Sequence, residues 1–252
     1  QNAGLDAYNV AIGHAAGTAV TTGAYNALIG GLAGDALTTG ESNVALGYLA
    51  LSSEDTGSRN VALGHNALST FNYNGNGYNV AIGYNAGTLL TSARFNVLVG
   101  AGTGQNATTG AYNTALGYRA LYTNVDGDNN VAVGYRSLYT LDPASNVDMY
   151  NVAVGYDAGY AITTGIRSTI IGALAGDAIT TGSYNTVLGS HALSAQTTGG
   201  GNTALGYAAL NALNHTDDTV GYNVAVGHEA GAVMTTGVRN VIMGGIAGDA
   251  LT

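Results

Sequence analysis

Residues able to do chemistry are few in this chain, and they fall into four sets: aspartates, histidines, paired threonines and an aromatic cluster. Asp126 with Asp128, Asp142 with Asp148, and Asp217 with Asp218 are the acid pairs that cleavage of a glycosidic bond would require. All lie in turns or lengthened loops, where Asp is a common turn former, and none recurs at an equivalent position along the chain. His14, His65 and His228 share a sequence position with Tyr48, Tyr84 and Tyr118, which marks them as amphipathic surface residues; His191 and His215 stand elsewhere. Asp35, Asp177 and Asp249 repeat within a G-D-A triplet, but Gln105 interrupts the series, so turn capping is favoured over cation binding.

Paired threonines form the third set: Thr21-Thr22, Thr38-Thr39, Thr108-Thr109, Thr163-Thr164, Thr180-Thr181, Thr197-Thr198 and Thr235-Thr236. A flat threonine array could order water and bind ice, yet Asp55, Asn72-Tyr73, Val125-Asp126 and Asp142-Pro143 break it. The fourth set is aromatic. Tyr118, Tyr135 and Tyr156 recur at one position and Tyr122, Tyr139 and Tyr160 at another, with Arg119 and Arg136 between the rows. Tyrosine faces beside planar donors suit a sugar, so this cluster is a possible glycan platform. The same rows would also serve simply to shield strands. No catalytic residue, cofactor or metal ligand emerges from the four sets.

A repeat must position these residues. Asn occurs at 9, 26, 43, 60, 79, 96, 113, 130, 151, 185, 202, 223 and 240, with Ser168 filling the one gap. Gly follows four residues after each, from Gly13 to Gly244, which makes fourteen repeat units. Most units are 17 residues long and every fourth is lengthened, giving cassettes 9–78, 79–150, 151–222 and a partial 223–252. Eight positions after the Asn the residue runs Gly, Gly, Leu, Leu and repeats, as in Gly17, Gly34, Leu51 and Leu68. The third unit of each cassette replaces an apolar residue by Glu54, Asn124 or Gln196. Segments such as V-A-I-G read as short strands ending at Gly, and no stretch has helical periodicity. The expectation is an all-β parallel β-solenoid (a β-roll) built as a single array over residues 1–252.

Local readings follow. The Asn column predicts a side-chain ladder, and the Gly column predicts positive φ or close backbone passage. A second strand is expected around 18–21, 88–91 and 160–163. Alternation is expected to put Val10 and Ile12, Val44 and Leu46, and Val80 and Ile82 inside the coil, with Ala11, Leu28, Ala45 and Ala62 facing out. An outward face that is apolar throughout predicts chains packing side by side, hence a homo-oligomer. The lengthened loops 69–78, 139–150 and 211–222 are expected to decorate one side of a rod roughly 65–70 Å long.

Composition removes whole classes of function. There are 40 Gly, 17 Tyr, one Pro, no Cys and no Trp, and charged residues make up 8%. Absence of Cys excludes disulfides and thiolate metal sites, and absence of Lys excludes a P-loop or a Schiff-base enzyme. A net charge of −9 without a basic stripe argues against nucleic acid. No apolar run reaches the ~18 residues that span a bilayer, so membrane insertion is not expected.

The cassettes YNVAIGHAAGTAVTTG, YNALIGGLAGDALTTG and SNVALGYLALSSEDTG resemble repeat regions of phage tail-fibre proteins. The N-V-A-I-G units are also similar to the head repeats of trimeric autotransporter adhesins, which use shorter coils. The resemblance implies a left-handed roll assembled as a homotrimer, on an extracellular or virion surface, with a cell-surface glycan or receptor as partner. It implies a structural or adhesive fibre segment with no enzymatic activity. A mechanical extracellular filament is the alternative, and an ice-binding solenoid or a polysaccharide-degrading tailspike stand below it. Both ends lie within repeat units, so the chain is expected to be a piece of a longer array.

Overall fold

A computed structural model describes residues 7–217 and 219–251. Among them there is no helix, and the chain divides into two compact units, Gln1–Asp126 and Gly127–Thr252. In the first unit β1 (Val10–Ile12), β2 (Ala27–Ile29), β3 (Val44–Leu46), β4 (Val61–Leu63), β5 (Val80–Ile82), β6 (Val97–Val99) and β7 (Thr114–Leu116) pair in sequence order. Every pair is parallel and in register, so Ala11 lies beside Leu28 and Ala45 beside Ala62.

The second unit repeats the arrangement. It opens with β8 (Gly127–Asp128) and β9 (Val131–Val133), followed by β10 (Val147–Asp148) and β11 (Val152–Val154). Then come β12 (Thr169–Ile171), β13 (Thr186–Leu188), β14 (Thr203–Leu205), β15 (Val224–Val226) and β16 (Val241–Met243). β9 and β11 to β16 form the coil sheet, and β8 pairs with β10 in a small second sheet. One strand per coil, each stacked on its counterpart in the next, is a parallel β-solenoid, as the repeat predicts.

Two expectations about the coil are corrected. No second strand forms at 18–21, 88–91 or 160–163. Left-handed residues interrupt that wall: Ala15 and Gly17 have φ of 56° and 58°, and Leu49 and Leu51 have 56° and 54°. The chain there makes consecutive turns, closed by bonds such as Val20 N–H to Gly17 carbonyl at 3.1 Å. Intervening amides still reach the next coil, as Gly17 does to Ala33 at 3.0 Å and Thr21 to Thr38 at 2.9 Å.

The strand faces are the reverse of the expectation. Leu28, Ala45, Ala62, Ala81 and Ala115 are fully buried, while Val10, Ile12, Val44 and Leu46 are exposed. The Asn side chain sets the phase. Its amide must lie inside the coil to reach turn carbonyls, and a period of two then carries the second residue after it inward. The first and third residues after Asn consequently face out.

What fills the thin interior is a set of complementary sizes. In the second coil Leu28 is large, and a Cβ placed on Gly17 or Gly34 would meet its methyls at 2.7 and 2.8 Å. In the third and fourth coils the strand supplies Ala45 and Ala62, and Leu51 and Leu68 take the volume. The lengthened coils add Phe71, Leu141, Met149 and Leu213 to the core. Their loops are therefore tied down rather than projecting freely. Parallel bridges Ser58–Asn76 and Gly200–Val220 hold two of them.

Candidate functional site

The Asn ladder is built as the spacing predicts. In the first unit Asn9 accepts from the Asn26 amide at 2.8 Å, and Asn26, Asn43, Asn60, Asn79 and Asn96 pass the contact on to Asn113. In the second unit Asn130 accepts from Asn151 at 3.1 Å, and Asn185, Asn202, Asn223 and Asn240 continue the series. Ser168 keeps it unbroken: its hydroxyl accepts from the Asn185 amide at 3.2 Å. Most of these side-chain amides also donate to a turn carbonyl fourteen residues on, as Asn26 does to Gly40 at 2.9 Å and Asn223 to Gly237 at 2.8 Å. Asn60, Asn130 and Asn202 precede or sit in lengthened coils, and they donate instead to the carbonyl two residues back. These groups satisfy buried turn amides, which is scaffold chemistry.

The tyrosine and arginine cluster is assembled within each unit. Arg119 lies 5.1 Å from the ring centres of both Tyr118 and Tyr122. In the second unit Tyr135 stacks on Tyr156 at 5.1 Å and 5°, and Tyr139 on Tyr160 at 5.1 Å and 11°. Arg136 sits between rows, 4.9 Å from Tyr135 and 4.8 Å from Tyr160. Its guanidinium grips buried Asp157 in a bidentate pair, Nε–Oδ1 at 2.9 Å and Nη2–Oδ2 at 2.5 Å. That carboxylate holds the Arg136 pKa above its ordinary value. In the second unit Tyr135 and Tyr139 each turn one ring face to a neighbouring tyrosine, and Arg136 spends its Nε and Nη2 donors on Asp157.

Other candidates are placed as follows. Asp126 accepts from Thr108 and Thr109 at 3.1 and 2.6 Å; Asp148 accepts from Asn129 at 2.6 Å and from the Tyr150 hydroxyl at 3.2 Å. The latter bond raises the Tyr150 pKa. Asp217 accepts from Thr219 at 2.5 Å, which lowers its pKa, and Asp218 lies outside the described residues. Asp35 and Asp177 each bury one carboxylate oxygen without a hydrogen bond, and burial raises the Asp177 pKa. Among the described residues no three His, Asp or Glu are grouped to hold a metal ion. His65 stacks on Tyr84 and meets Tyr48 at a 34° tilt, and His228 stacks on Tyr207, so each His takes the place of a ring in the aromatic row of its own unit.

The first threonine of several pairs bonds the next coil's backbone: Thr21 to Thr38, Thr163 to Thr180, and Thr180 to Thr197, at 3.1 to 3.2 Å. Those hydroxyls are engaged by the scaffold.

Sequence reasoning passed over a second aromatic row, at the residue before each Asn. Tyr8 stacks on Tyr25, and Tyr78, Phe95 and Tyr112 follow one another at 5.3 and 5.0 Å. Every one has positive φ, Tyr8 at 47° and Tyr25 at 60°. The recurring Y-N dipeptide is the signal that could have revealed it. Between this row and the Tyr48/His65/Tyr84 row runs the exposed strand face, Val, Ile, Leu and Thr in every coil apart from Ala27 and Met243, without one charged residue.

Fold and side-chain chemistry together define the class: a parallel β-solenoid repeat protein. No family model, curated protein or solved structure matches the chain, so nothing narrower follows from comparison. Among the described residues no helix is long and apolar enough to cross a membrane.

Proposed function

We propose that the chain is a structural and adhesive fibre segment, an oligomeric spacer displayed on a virion or in the extracellular space and without enzymatic activity. The observation that carries the reading is the outer strand face. In each unit seven strands present it over about 29 Å, making an apolar strip of roughly 350 Å² bordered by aromatic rows. A strip of that size is on the scale of the largest apolar patch of a typical monomer, which is often functional. Identical, in-register coils make it equally available on every copy, so the occupant that fits it best is a second copy of the chain. A trimer and a left-handed roll are the forms that the tail-fibre and adhesin resemblance favours. The net charge of −9 and the lack of Lys count against nucleic acid as a partner.

Sedimentation equilibrium of the purified chain tests the reading, with electron microscopy alongside. The expected result is a closed species of three chain masses. A monomer at every concentration would overturn it, and open-ended polymers would favour a mechanical filament.

A further inference from the structure

In the row before the Asn ladder one position, Gly201, carries no side chain at all. In the second unit Tyr150, Arg167 and Tyr184 follow each other, with the Arg167 guanidinium 5.9 Å from one ring centre and 5.8 Å from the other. Arg167 also donates to the Tyr184 hydroxyl at 2.9 Å, so one side of that ring is occupied and its orientation fixed. The next coil carries Gly201 at the equivalent position, and Tyr222 resumes the row one coil later. Tyr184 and Tyr222 are thus two coil steps apart, roughly 10 Å. Part of the space is taken up, since a Cβ placed on Gly201 would meet a Val220 methyl at 2.7 Å and Tyr222 ring carbons at 3.4 and 3.6 Å, and the free volume lies toward Tyr184.

A cleft opens beside this position, on the Tyr184 side. It has a volume of about 260 Å³ and is lined by Thr181, Ser183, Tyr184, Thr198, Gly200 and Val220. That is below the ~300 Å³ at which drug-sized pockets begin, which suits a single ring. Tyr184, which is 55% exposed, and Val220 supply its apolar lining. The rim carries hydroxyls. Ser183 accepts from the Ile166 amide at 3.1 Å and donates to the Thr181 carbonyl at 3.2 Å, which leaves a lone pair for an incoming hydroxyl.

We infer that this notch binds one neutral pyranose ring. A pyranose offers an apolar C–H face to Tyr184 and equatorial hydroxyls to the rim, whereas a flat aromatic ring would leave the rim unmatched. No lining residue is charged and the protein carries −9, which disfavours sialic and uronic acids. The site stands on the fold of one chain and does not depend on oligomerisation, which sedimentation tests separately.

Saturation-transfer NMR on the full chain checks it, using methyl glycosides of glucose, galactose and N-acetylglucosamine, with a methyl sialoside and benzamide as contrasts. At least one neutral glycoside is expected to receive saturation. Tyr184→Ala should weaken its binding about tenfold. Gly201→Tyr should abolish it by placing a ring at the bare position. That variant is compatible with the fold, because Gly201 has φ of 72° and Tyr184 already holds 62° at the same position. Its Cβ would approach a Val220 methyl at 2.7 Å, which the exposed Val220 side chain relieves by rotating. Saturation of none of the neutral glycosides, of the sialoside or benzamide alone, or binding unchanged in both variants overturns the inference.

Discussion

At the scale of single residues the coil is held by two obligations, a buried amide and a corner. The Asn side chain discharges the first by accepting from the next Asn backbone and donating to a turn carbonyl, as Asn151 does to Gly165 at 2.8 Å. Ser168 does this less well, because its hydroxyl accepts from Asn185 at 3.2 Å but donates only a long bond, 3.5 Å, to the Ile166 carbonyl two residues back and does not span to the carbonyl fourteen residues on. Ser168→Asn should therefore stabilise the second unit by about 0.5–1.5 kcal/mol. A raised unfolding midpoint in urea, at unchanged slope, is the expected reading, and a lowered midpoint contradicts the ladder account. The corner is stricter. Gly155 has φ of 143°, and a Cβ there would lie 2.5 Å from the Gly172 carbonyl oxygen. Gly155→Ala should cost about 1–3 kcal/mol in the same measurement. Both columns were legible in the sequence because each demand admits essentially one residue type. The aromatic row before the ladder was not, since Tyr, Phe, Arg, Ser, Asn and Gly all occupy it and letter identity hides the shared geometry.

At the scale of the coil, periodicity revealed where the strands lie but left open which face is interior. Both alternating positions are apolar in the V-A-I and V-A-L segments, so hydrophobicity cannot choose between them; the buried Asn does. The return wall misled for a related reason. T-A-V-T has strand composition, yet Gly17 and its Leu counterparts sit at positive φ and turn the chain. The polar exception in the third coil was legible as an exception and finds its cause in packing. Glu54 is buried and accepts from the Gly57 amide at 2.6 Å and from Tyr73, in the lengthened loop, at 3.3 Å. Burial raises its pKa above the ordinary 4.5 more than those amides lower it. The folded chain thus keeps this proton at a pH where the unfolded chain has lost it. Stability from Glu54 is complete below about 4.5 and falls as pH rises through the elevated folded value. Gln196 fills the same place two cassettes on, exchanging bonds with His215 at 3.4 and 3.5 Å, so an amide fits. Glu54→Gln should remove this fall, and unfolding free energies of the two proteins should diverge as pH increases above 4.5. Parallel profiles would refute the assignment.

At the scale of the whole molecule, the shortage of charge and the exposed strand face are two aspects of one property. Charged residues make up only 8% of the chain, and the outer face of β1–β7 and of β9 and β11–β16 has none. Leu116 and Leu188 stand on that face, each 47% exposed in the isolated chain and neither part of the buried core. Glu at either position leaves the single chain's interior untouched, but in a seam between copies it would bury a carboxylate without a partner. Such a charge costs several kcal/mol unless it is neutralised, more than the roughly 1 kcal/mol that burying about 40 Å² of leucine surface supplies. The double variant Leu116→Glu, Leu188→Glu should consequently sediment as single chains while retaining the β-sheet circular dichroism of the parent. Added salt should not dissociate the parent protein, because an uncharged seam offers no ion pairs to screen. Should the double variant keep the parent's mass, the strand face is not the seam, and the copies, if they associate, do so through another surface.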